Sequence, residues 1–290
     1  MDGIILVNKP KGWTSHDVVS KLRKQLNTKK IGHTGTLDPM ATGLLVVCVG
    51  HATKLVKYLT DHDKEYIAEV TLGIKTNTDD ITGTIIESVE VNQIDLTNLT
   101  NVIRSFVGVT MQIPPVASAI KVNGKRAYEY IHKHQEEPIM TEREITISSI
   151  ELTDEPKIID NKVRFSIKVA CSKGTYIRSL ARDIGKALHL PATLSNLSRT
   201  IVGDFDLKDA LCIEAIFEDA VQLIDPIHHL GFQSIQIDDE YLFKVSNGAF
   251  LPLNLFPTTN ETVVCNQQGT ALAIYTYDST KNIMRLSVLL

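Results

Sequence analysis

Segments with the pattern of strands and segments with the pattern of helices follow one another along this chain without a regular alternation. Tyr66–Leu72 and Val163–Cys171 alternate apolar and polar residues, as strands covered on one face do. Leu96–Val107 and Ile177–Leu188 carry apolar residues at helical spacing instead. Because a doubly wound α/β protein needs strands and helices to alternate, this order predicts an α+β fold with a mixed, largely antiparallel central sheet and flanking helices.

Two further features concern how the chain is divided. The polar string Lys75–Asp80 separates Tyr66–Leu72 from the strand-like Ile81–Glu87, which predicts that these two strands pair through it. After about residue 230 the chain is poor in Lys and Arg and rich in short strand-like runs. We therefore expect a large domain at residues 1–230 and a small β-rich domain at residues 231–290.

Composition excludes several classes of protein. A chain of 290 residues with 43% hydrophobic and 22% charged residues is neither disordered nor fibrous, and it is long enough to bury a sizeable core. The four cysteines lie at least 41 residues apart, so no zinc or redox spacing is present. No run of 18 apolar residues exists. These features predict a cytoplasmic protein with no structural metal and no membrane role.

The charge is distributed unevenly. Residues 1–60 carry nine Lys or Arg and three Asp or Glu, and residues 121–200 carry fourteen and ten, whereas residues 201–290 carry four and twelve. If the two basic segments fold together, they form a positive face that could follow a phosphate backbone. Solvated surface is the alternative explanation for both segments.

A loop-forming string, Gly32–Gly43, precedes the fully apolar strand Leu44–Val49. Its three glycines, three threonines and one proline cannot form a regular element, and it lacks the ending of a phosphate-binding loop. Asp38 and His33 are the titratable residues in it. Asp38 is a candidate catalytic carboxylate or else a turn or capping residue, and His33 is a candidate ligand contact or else a surface or packed histidine.

A second string, Cys171–Leu180, turns at Gly174 from a strand into a helix. Arg178 stands in the first helical turn, where the helix dipole disfavours a cation, so an anion is expected beside it. Asp38 is one possible partner for Arg178. Arg182 lies one turn later and could be exposed or paired with Asp183 or another acid.

Five strings together resemble the TruB family of tRNA pseudouridine-55 synthases, in the right order and over about two-thirds of the chain. They are NKPKGWTSHDVV, GHTGTLDPMATGLL, DKEYIAEVTLG, VNGKRAYEY and CSKGTYIRSLARDIG. The resemblance implies a pseudouridine-synthase fold, with a PUA-like module in the C-terminal part. It also implies that a uridine in the T loop of tRNA is isomerised to pseudouridine without a cofactor or metal.

The resemblance also assigns roles to residues. Asp38 is similar to the family's catalytic aspartate, Arg178 to the arginine that pairs with it, and Tyr66 to the aromatic residue that stacks on the target base. Whether Asp38 attacks C1′, adds to the ring or removes the C2′ proton stays open. Tyr176 is expected to line the same pocket, and Leu197 to form an apolar floor.

Access to the uridine requires that it leave the folded T loop. His33 resembles the residue that fills the space the uridine leaves. The lysines expected to contact phosphates are Lys9, Lys11, Lys29, Lys30 and Lys173. The expected partner is therefore the T arm of tRNA. The chain has no heptad repeat, so a monomer without an obligate protein partner is expected.

The chain departs from the family pattern at three places. Ala117 stands where a tyrosine is usual, the string Leu197–Thr200 has one basic residue fewer, and the acidic C-terminal part matches weakly. Two other functions remain as alternatives. One is a non-catalytic protein that binds or folds tRNA, and the other is a small-molecule hydrolase or isomerase that uses Asp38 and His33 as an acid–base pair.

Overall fold

A computed structural model describes residues 2–122, 124–127, 129–130, 138–218 and 222–290. Asn123 and Tyr128 of the VNGKRAYEY string thus lie outside the described residues. The strands are β1 (Gly3–Lys9), β2 (Ile31–His33), β3 (Thr42–Val49), β4 (Lys64–Leu72), β5 (Ile74–Thr76), β6 (Ile85–Ser88), β7 (Gly108–Gln112), β8 (Lys121–Val122), β9 (Lys125–Arg126), β10 (Arg143–Leu152), β11 (Lys157–Ile159), β12 (Lys162–Cys171), β13 (Ala192–Val202), β14 (Phe205–Asp206), β15 (Gln233–Gln236), β16 (Thr262–Cys265), β17 (Ala271–Asp278) and β18 (Ile283–Leu289). The α-helices are Ser15–Gln25, Val56–Leu59, Leu96–Arg104, Ile177–Ala187, Ala215–Glu218 and Asp239–Ser246.

Ten strands form one mixed sheet. Seven of them follow the path β1-β3-β13-β4-β12-β10-β7, while β2, β11 and β14 pair with β3, β12 and β13. Along the path, β13 and β3 are parallel and the other neighbours are antiparallel. The predicted α+β fold with a largely antiparallel sheet is thereby confirmed.

The apolar composition of β3 follows from its position, because both of its faces are covered. Leu45 and Val47 pack into the cluster that contains the Ser15–Gln25 helix. Leu44 and Val46 pack on the opposite face, against side chains of the C-terminal sheet. A strand covered on both faces has no place for a polar residue, in agreement with its continuous apolar run.

The strands β4 and β12 are covered on one face, as their alternation predicts. Tyr66, Ala68 and Val70 enter a core beneath the helix Ile177–Ala187, whereas Ile67 on the other face is 43% exposed. The helix Ile177–Ala187 is hereafter the site helix. Its buried residues Ile177, Leu180 and Ala181 pack into the same core as these strands.

The strand pairing predicted for Ile81–Glu87 is wrong in its partner. Within that region the strand is β6, and it pairs with β5 rather than with β4. Gly73 separates β4 from β5 with a φ of 97°, a conformation that glycine adopts without the strain of a side chain. The chain therefore turns at residue 73. Residues 77–84 are hereafter the hairpin connection, whose Asp79 and Asp80 contact arginines of the site helix.

The C-terminal part forms its own four-stranded sheet in the order β15-β16-β17-β18. It contacts the large sheet through a shared apolar cluster that includes Leu44, Val263 and Ile274. Ile224 still pairs with Ile4 of β1, so the chain leaves the large sheet only after this residue. Within the described ranges, no helix is long and apolar enough to span a membrane.

Candidate active site

Asp38 lies in the loop between β2 and β3, residues 34–41, hereafter the aspartate loop. Leu37 and Met40 on either side of it are buried in the core. The Ser15 hydroxyl accepts a hydrogen bond from the Leu37 amide at 2.9 Å and also lies 3.2 Å from the Leu37 carbonyl oxygen. These anchors hold the loop against the sheet and leave the Asp38 side chain 34% exposed.

Arg178 approaches Asp38 from the first turn of the site helix. Its Nε lies 2.9 Å from Oδ2 of Asp38, and its Nη2 donates to Oδ1 at 3.3 Å. The carboxylate is thus held by two nitrogen atoms of one planar group, a geometry that fixes orientation as well as charge. The anion expected beside Arg178 is therefore Asp38, and the structure brings this predicted pair together.

Arg178 itself is nearly enclosed, with a side chain that is 7% exposed. Its Nη1 donates to the Thr78 carbonyl oxygen at 3.2 Å and lies 3.5 Å from Oδ2 of Asp80. Its Nη2 also donates to the Ala117 carbonyl oxygen at 2.9 Å. A buried guanidinium with all of these acceptors has little freedom to turn away from Asp38.

The charges around Asp38 affect its pKa in opposite directions. Burial raises the pKa above the usual value of an aspartic acid, and the Arg178 guanidinium opposes that shift. Asp80 raises the pKa further, and the Lys9 ammonium lowers it. The net direction is upward, which makes Asp38 a stronger base than an aspartate in water.

Tyr66 and Leu197 line the core side of the site on adjacent strands β4 and β13. Both are buried in the same apolar cluster as Leu37 and Met40. Burial raises the pKa of the Tyr66 phenol, and the nearby Arg199 guanidinium opposes this shift. The phenol is therefore neutral at physiological pH and offers a flat apolar surface below the aspartate loop.

Tyr176 immediately precedes the site helix. Its backbone amide donates to Oε1 of Gln112 at 2.9 Å, and its carbonyl oxygen accepts from Nε2 of the same side chain at 3.1 Å. Burial raises the pKa of its hydroxyl, and the charges of Arg143 and Arg178 oppose that shift. Gln112 thus positions both Tyr176 and the start of the helix that carries Arg178.

His33 is the last residue of β2 and immediately precedes the aspartate loop. Burial lowers the pKa of its imidazole, and the positive charges of Arg199 and His16 act in the same direction. The side chain is therefore neutral at pH 7. A neutral, partly exposed ring at this position can stack on a base without the desolvation cost of a charge.

The five predicted phosphate contacts do not share one environment. Lys11, Lys29, Lys30 and Lys173 are exposed, and Lys173 forms an ion pair with Asp61 at 2.8 Å. Lys9 is completely buried, and its ammonium donates to the carbonyl oxygens of Trp13 at 2.6 Å and Pro10 at 3.0 Å. The prediction of a phosphate contact is therefore wrong for Lys9, because its charge is directed inward and is already bonded.

Two residues that contact the site were not singled out by the sequence analysis. Asp80 lies beside Arg178 but 98 residues away in sequence, and adjacent acids in a polar turn gave no reason to choose it. Arg199 is 2% exposed and donates to the carbonyl oxygens of Leu44 at 2.8 Å and Gly35 at 3.0 Å. It ties β13 to the aspartate loop. The sequence gives its string, Leu197–Thr200, as a departure from the family pattern and does not indicate this role.

The acidic side chains near Asp38 face a guanidinium rather than one another. Among the described residues, no group of three or more His, Cys, Asp or Glu side chains has the arrangement of a metal site. What the site offers is one oriented carboxylate with a raised pKa, next to an apolar floor and two tyrosines. Such an arrangement can act on a flat, neutral heterocycle that enters from solvent.

Comparison with known proteins identifies relatives over nearly the whole chain. Residues 23–177 match the family described as TruB family pseudouridylate synthase (N terminal domain). The tRNA pseudouridine synthase B of Bacillus subtilis is 43% identical over 291 residues, which cover 95% of this chain and 93% of that protein. The protein of the same name from Oceanobacillus iheyensis is 44% identical over 95% of this chain and 92% of its own length.

The fold has counterparts among solved structures. A chain in the crystal structure of a Cbf5-Nop10-Gar1 complex superposes with a TM-score of 0.71 at 25% identity, covering 99% of this chain and 84% of that one. A chain in the archaeal box H/ACA sRNP Nop10-Cbf5 complex gives a TM-score of 0.69 at 23% identity, with 99% and 84% coverage. The large sheet and the C-terminal sheet are thus found together in other proteins.

Proposed function

The chain belongs to the TruB family of pseudouridylate synthases, and from this we propose that it isomerises uridine to pseudouridine in tRNA. We assign the reaction to the uridine at position 55 in the T loop. The observation that carries the assignment of the site is the contact between Arg178 and Asp38. It places an oriented carboxylate, whose side chain is 34% exposed, against a guanidinium whose side chain is 7% exposed.

The reaction changes connections within one nucleotide. The C1′–N1 bond breaks and a C1′–C5 bond forms, while C5 loses a proton and N1 gains one. Substrate and product are isomers, so the atoms balance without a second substrate. Three routes use Asp38 differently: attack at C1′, addition to the ring, and removal of the C2′ proton. Each route requires an ionised carboxylate, which Arg178 stabilises against the effect of burial.

The side chains around Asp38 suit a detached uracil ring. We assign to Tyr66 the stacking surface for the base and to Leu197 the floor beneath it, since both are buried in one cluster with the aspartate loop. Tyr176 closes the side of the pocket next to Arg178. A neutral phenol can also pass a proton to or from the ring while it turns.

We propose that the uridine leaves the stacked T loop to reach Asp38, because enzymes that act on a base take it out of its stack. We assign to His33 the filling of the vacated position, which its lowered pKa supports because the ring carries no charge. Lys11, Lys29, Lys30 and Lys173 are exposed and supply phosphate contacts that fix position without reading sequence.

The proposed domains correspond to the two sheets. We propose that residues 1–230 form the catalytic domain and that residues 231–290 form a small PUA-like domain beside it. The pairing of Ile224 with Ile4 supports a boundary after this residue. Every residue assigned above to catalysis or to contact with tRNA lies in the first of the two domains.

The test is release of tritium from tRNA carrying [5-³H]uridine, with wild type and Asp38→Asn compared under single-turnover conditions. Loss of the C5 hydrogen is required for the new bond. We expect release by the wild type and a fall of at least about 10³-fold for Asp38→Asn, since the isosteric amide cannot carry the charge. Filter binding of tRNA serves as the control and should be unchanged.

The two alternative functions predict different results. Absence of release by either protein, with salt-sensitive tRNA binding intact, would favour a protein that only binds or folds tRNA. Turnover of free nucleosides without affinity for tRNA would favour a small-molecule enzyme. Equal release by both proteins would remove Asp38 from the reaction.

A further inference from the structure

Two arginines and two aspartates form adjacent pairs where the hairpin connection meets the site helix. Arg178 and Arg182 are one helical turn apart and therefore leave the same face of the helix. Oδ2 of Asp80 lies 3.5 Å from Nη1 of Arg178, and Oδ2 of Asp79 lies 2.9 Å from Nη1 of Arg182. The first pair belongs to the site described above, while the second does not touch Asp38.

Because the two acids are adjacent, two alignments of the hairpin connection against the site helix would each place an aspartate opposite Arg178. A slip of the hairpin connection by one residue would place Asp79, instead of Asp80, opposite Arg178. The Arg182–Asp79 pair excludes this slip, because Asp79 is already held by a second cation at a fixed distance along the helix. Selecting one register among similar ones is the best-supported role of a partly buried ion pair.

The backbone of the hairpin connection is shaped to present both acids to one helix. Asp79 has a φ of 60°, a left-handed conformation that aspartate tolerates better than most residues. Its carbonyl oxygen accepts a hydrogen bond from the Leu194 amide at 3.1 Å. Oδ1 of Asp80 is in turn occupied by the Thr82 amide at 2.9 Å, which leaves Oδ2 for Arg178.

Arg182 also holds the second segment that confines Arg178. Its Nη2 donates to the Ile113 carbonyl oxygen at 2.8 Å, and the Ser179 hydroxyl donates to the same oxygen at 2.8 Å. The segment that begins there supplies the Ala117 carbonyl oxygen to Arg178. One guanidinium therefore fixes both of the segments whose oxygen atoms surround Arg178.

We infer that Arg182 and Asp79 are positioning residues for the pseudouridylation reaction, acting through Arg178. The inference rests on the proposed function. The side chains are 23% and 12% exposed, so the pair is shielded from bulk water although it lies outside the pocket. Its loss should let the hairpin connection and the 113–117 segment shift, and Arg178 with them.

The experiment compares single-turnover tritium release by wild type, Asp79→Asn, Arg182→Gln and the double variant. We expect each single variant to lose about tenfold in rate, because a small displacement of an orienting group is costly when geometry controls the reaction. Arg182 also pairs with Asp183 at 3.0 Å, so Arg182→Gln removes this contact and the Ile113 bond together with the Asp79 pair. The double variant should therefore be no slower than Arg182→Gln alone. The Kd for tRNA should stay within about twofold of wild type, as neither residue is placed against RNA.

Two further variants separate positioning from a loss of folding. Arg182→Lys keeps a cation beside Asp79 and should recover part of the rate. Lys208→Gln removes an exposed ion pair, 3.1 Å from Asp206, and should leave the rate unchanged. Thermal unfolding is measured for every protein, so that a rate lost through a smaller folded fraction is recognised.

Wild-type rates in both single variants would overturn the inference, as would lower thermal stability without a change in rate. If the fold-losses in rate of the two single variants multiply in the double variant, the two residues do not act as a pair. A proportional loss of tRNA affinity would assign Arg182 to RNA binding instead. Absence of release by the wild type would overturn the proposed function and this inference together, and is visible before any variant is compared.

Discussion

The Nε atom of Arg178 lies 2.9 Å from Oδ2 of Asp38, although 140 residues separate the two along the chain. The arginine is 7% exposed and the aspartate 34%, so the guanidinium is the inner partner and the carboxylate the outer one. The Asp38 side chain can therefore meet a substrate while Arg178 remains fixed from behind.

Replacement of Arg178 by lysine should keep the charge but lose the two-point contact. We expect the single-turnover rate of tritium release to fall by about 10²-fold or more, because one ammonium cannot hold both carboxylate oxygens in the same plane. The tRNA affinity should be unchanged. Arg104→Lys, at an exposed helix end, is the matched control; a similar rate for the two variants would contradict the assigned role.

The acid limb of the pH–rate profile should report the ionisation of Asp38. Burial raises its pKa, Arg178 lowers it, Asp80 raises it and Lys9 lowers it, with a net upward direction from 3.8. Activity that needs the carboxylate is then lost on acidification at a pH above that of an ordinary aspartate. Asp80→Asn removes one of the raising charges, so the limb should move to lower pH. A limb that stays in place would show that Asp80 does not act on Asp38.

Salt dependence of tRNA binding should separate the buried lysine from the exposed ones. Lys29→Met and Lys30→Met should each reduce the slope of log K against log salt concentration by about one, as expected for one lost phosphate contact. Lys9→Met should leave the slope unchanged because its ammonium is bonded inside the protein. A reduced slope for Lys9→Met would restore Lys9 to the RNA-binding surface.

The same Lys9 variant should also change stability with pH. Burial lowers the pKa of the Lys9 ammonium to about 8, with Asp38 opposing this shift. Between that pH and 10.5 the unfolded chain binds more protons at this group than the folded one, so wild-type stability gains from rising pH. Lys9→Met lacks this gain, so its deficit relative to wild type should widen from pH 7.5 to 10 in urea unfolding. A constant deficit would contradict the lowered pKa.

Gly43 lies where β3 pairs with β13. It should tolerate replacement by alanine less well than Gly12 does. It has a φ of 101°, and an added Cβ would lie 2.4 Å from the Arg199 carbonyl oxygen. Gly12 has a φ of 85° with open space around it, so Gly12→Ala should cost only the conformational term of about 1–2 kcal/mol. Gly43→Ala should cost clearly more in urea unfolding, and equal costs would show that the contact relaxes.

The local pattern of residues was enough to predict the main elements of the fold. The alternation in β4 and β12 and the helical spacing after Gly174 indicate which side chains are buried. Each of these patterns lies within a single segment, so it can be recognised without knowledge of the other segments. The family strings likewise named Asp38, Tyr66 and Arg178 as neighbours. The prediction failed for the β5–β6 hairpin, because which strand a partner meets depends on where the backbone turns, here at Gly73.

The groups that surround each charged side chain come from segments that are distant in sequence and adjacent only in the folded protein. Lys9 reads as a surface cation in its KPKG string, yet the 10–13 turn folds over it and turns its ammonium inward. Asp79 and Asp80 are equivalent as neighbours in a polar turn, and only the positions of Arg178 and Arg182 on the packed site helix assign each its partner. Desolvation and ion pairing depend on distance in space, so these properties cannot be obtained from spacing along the chain.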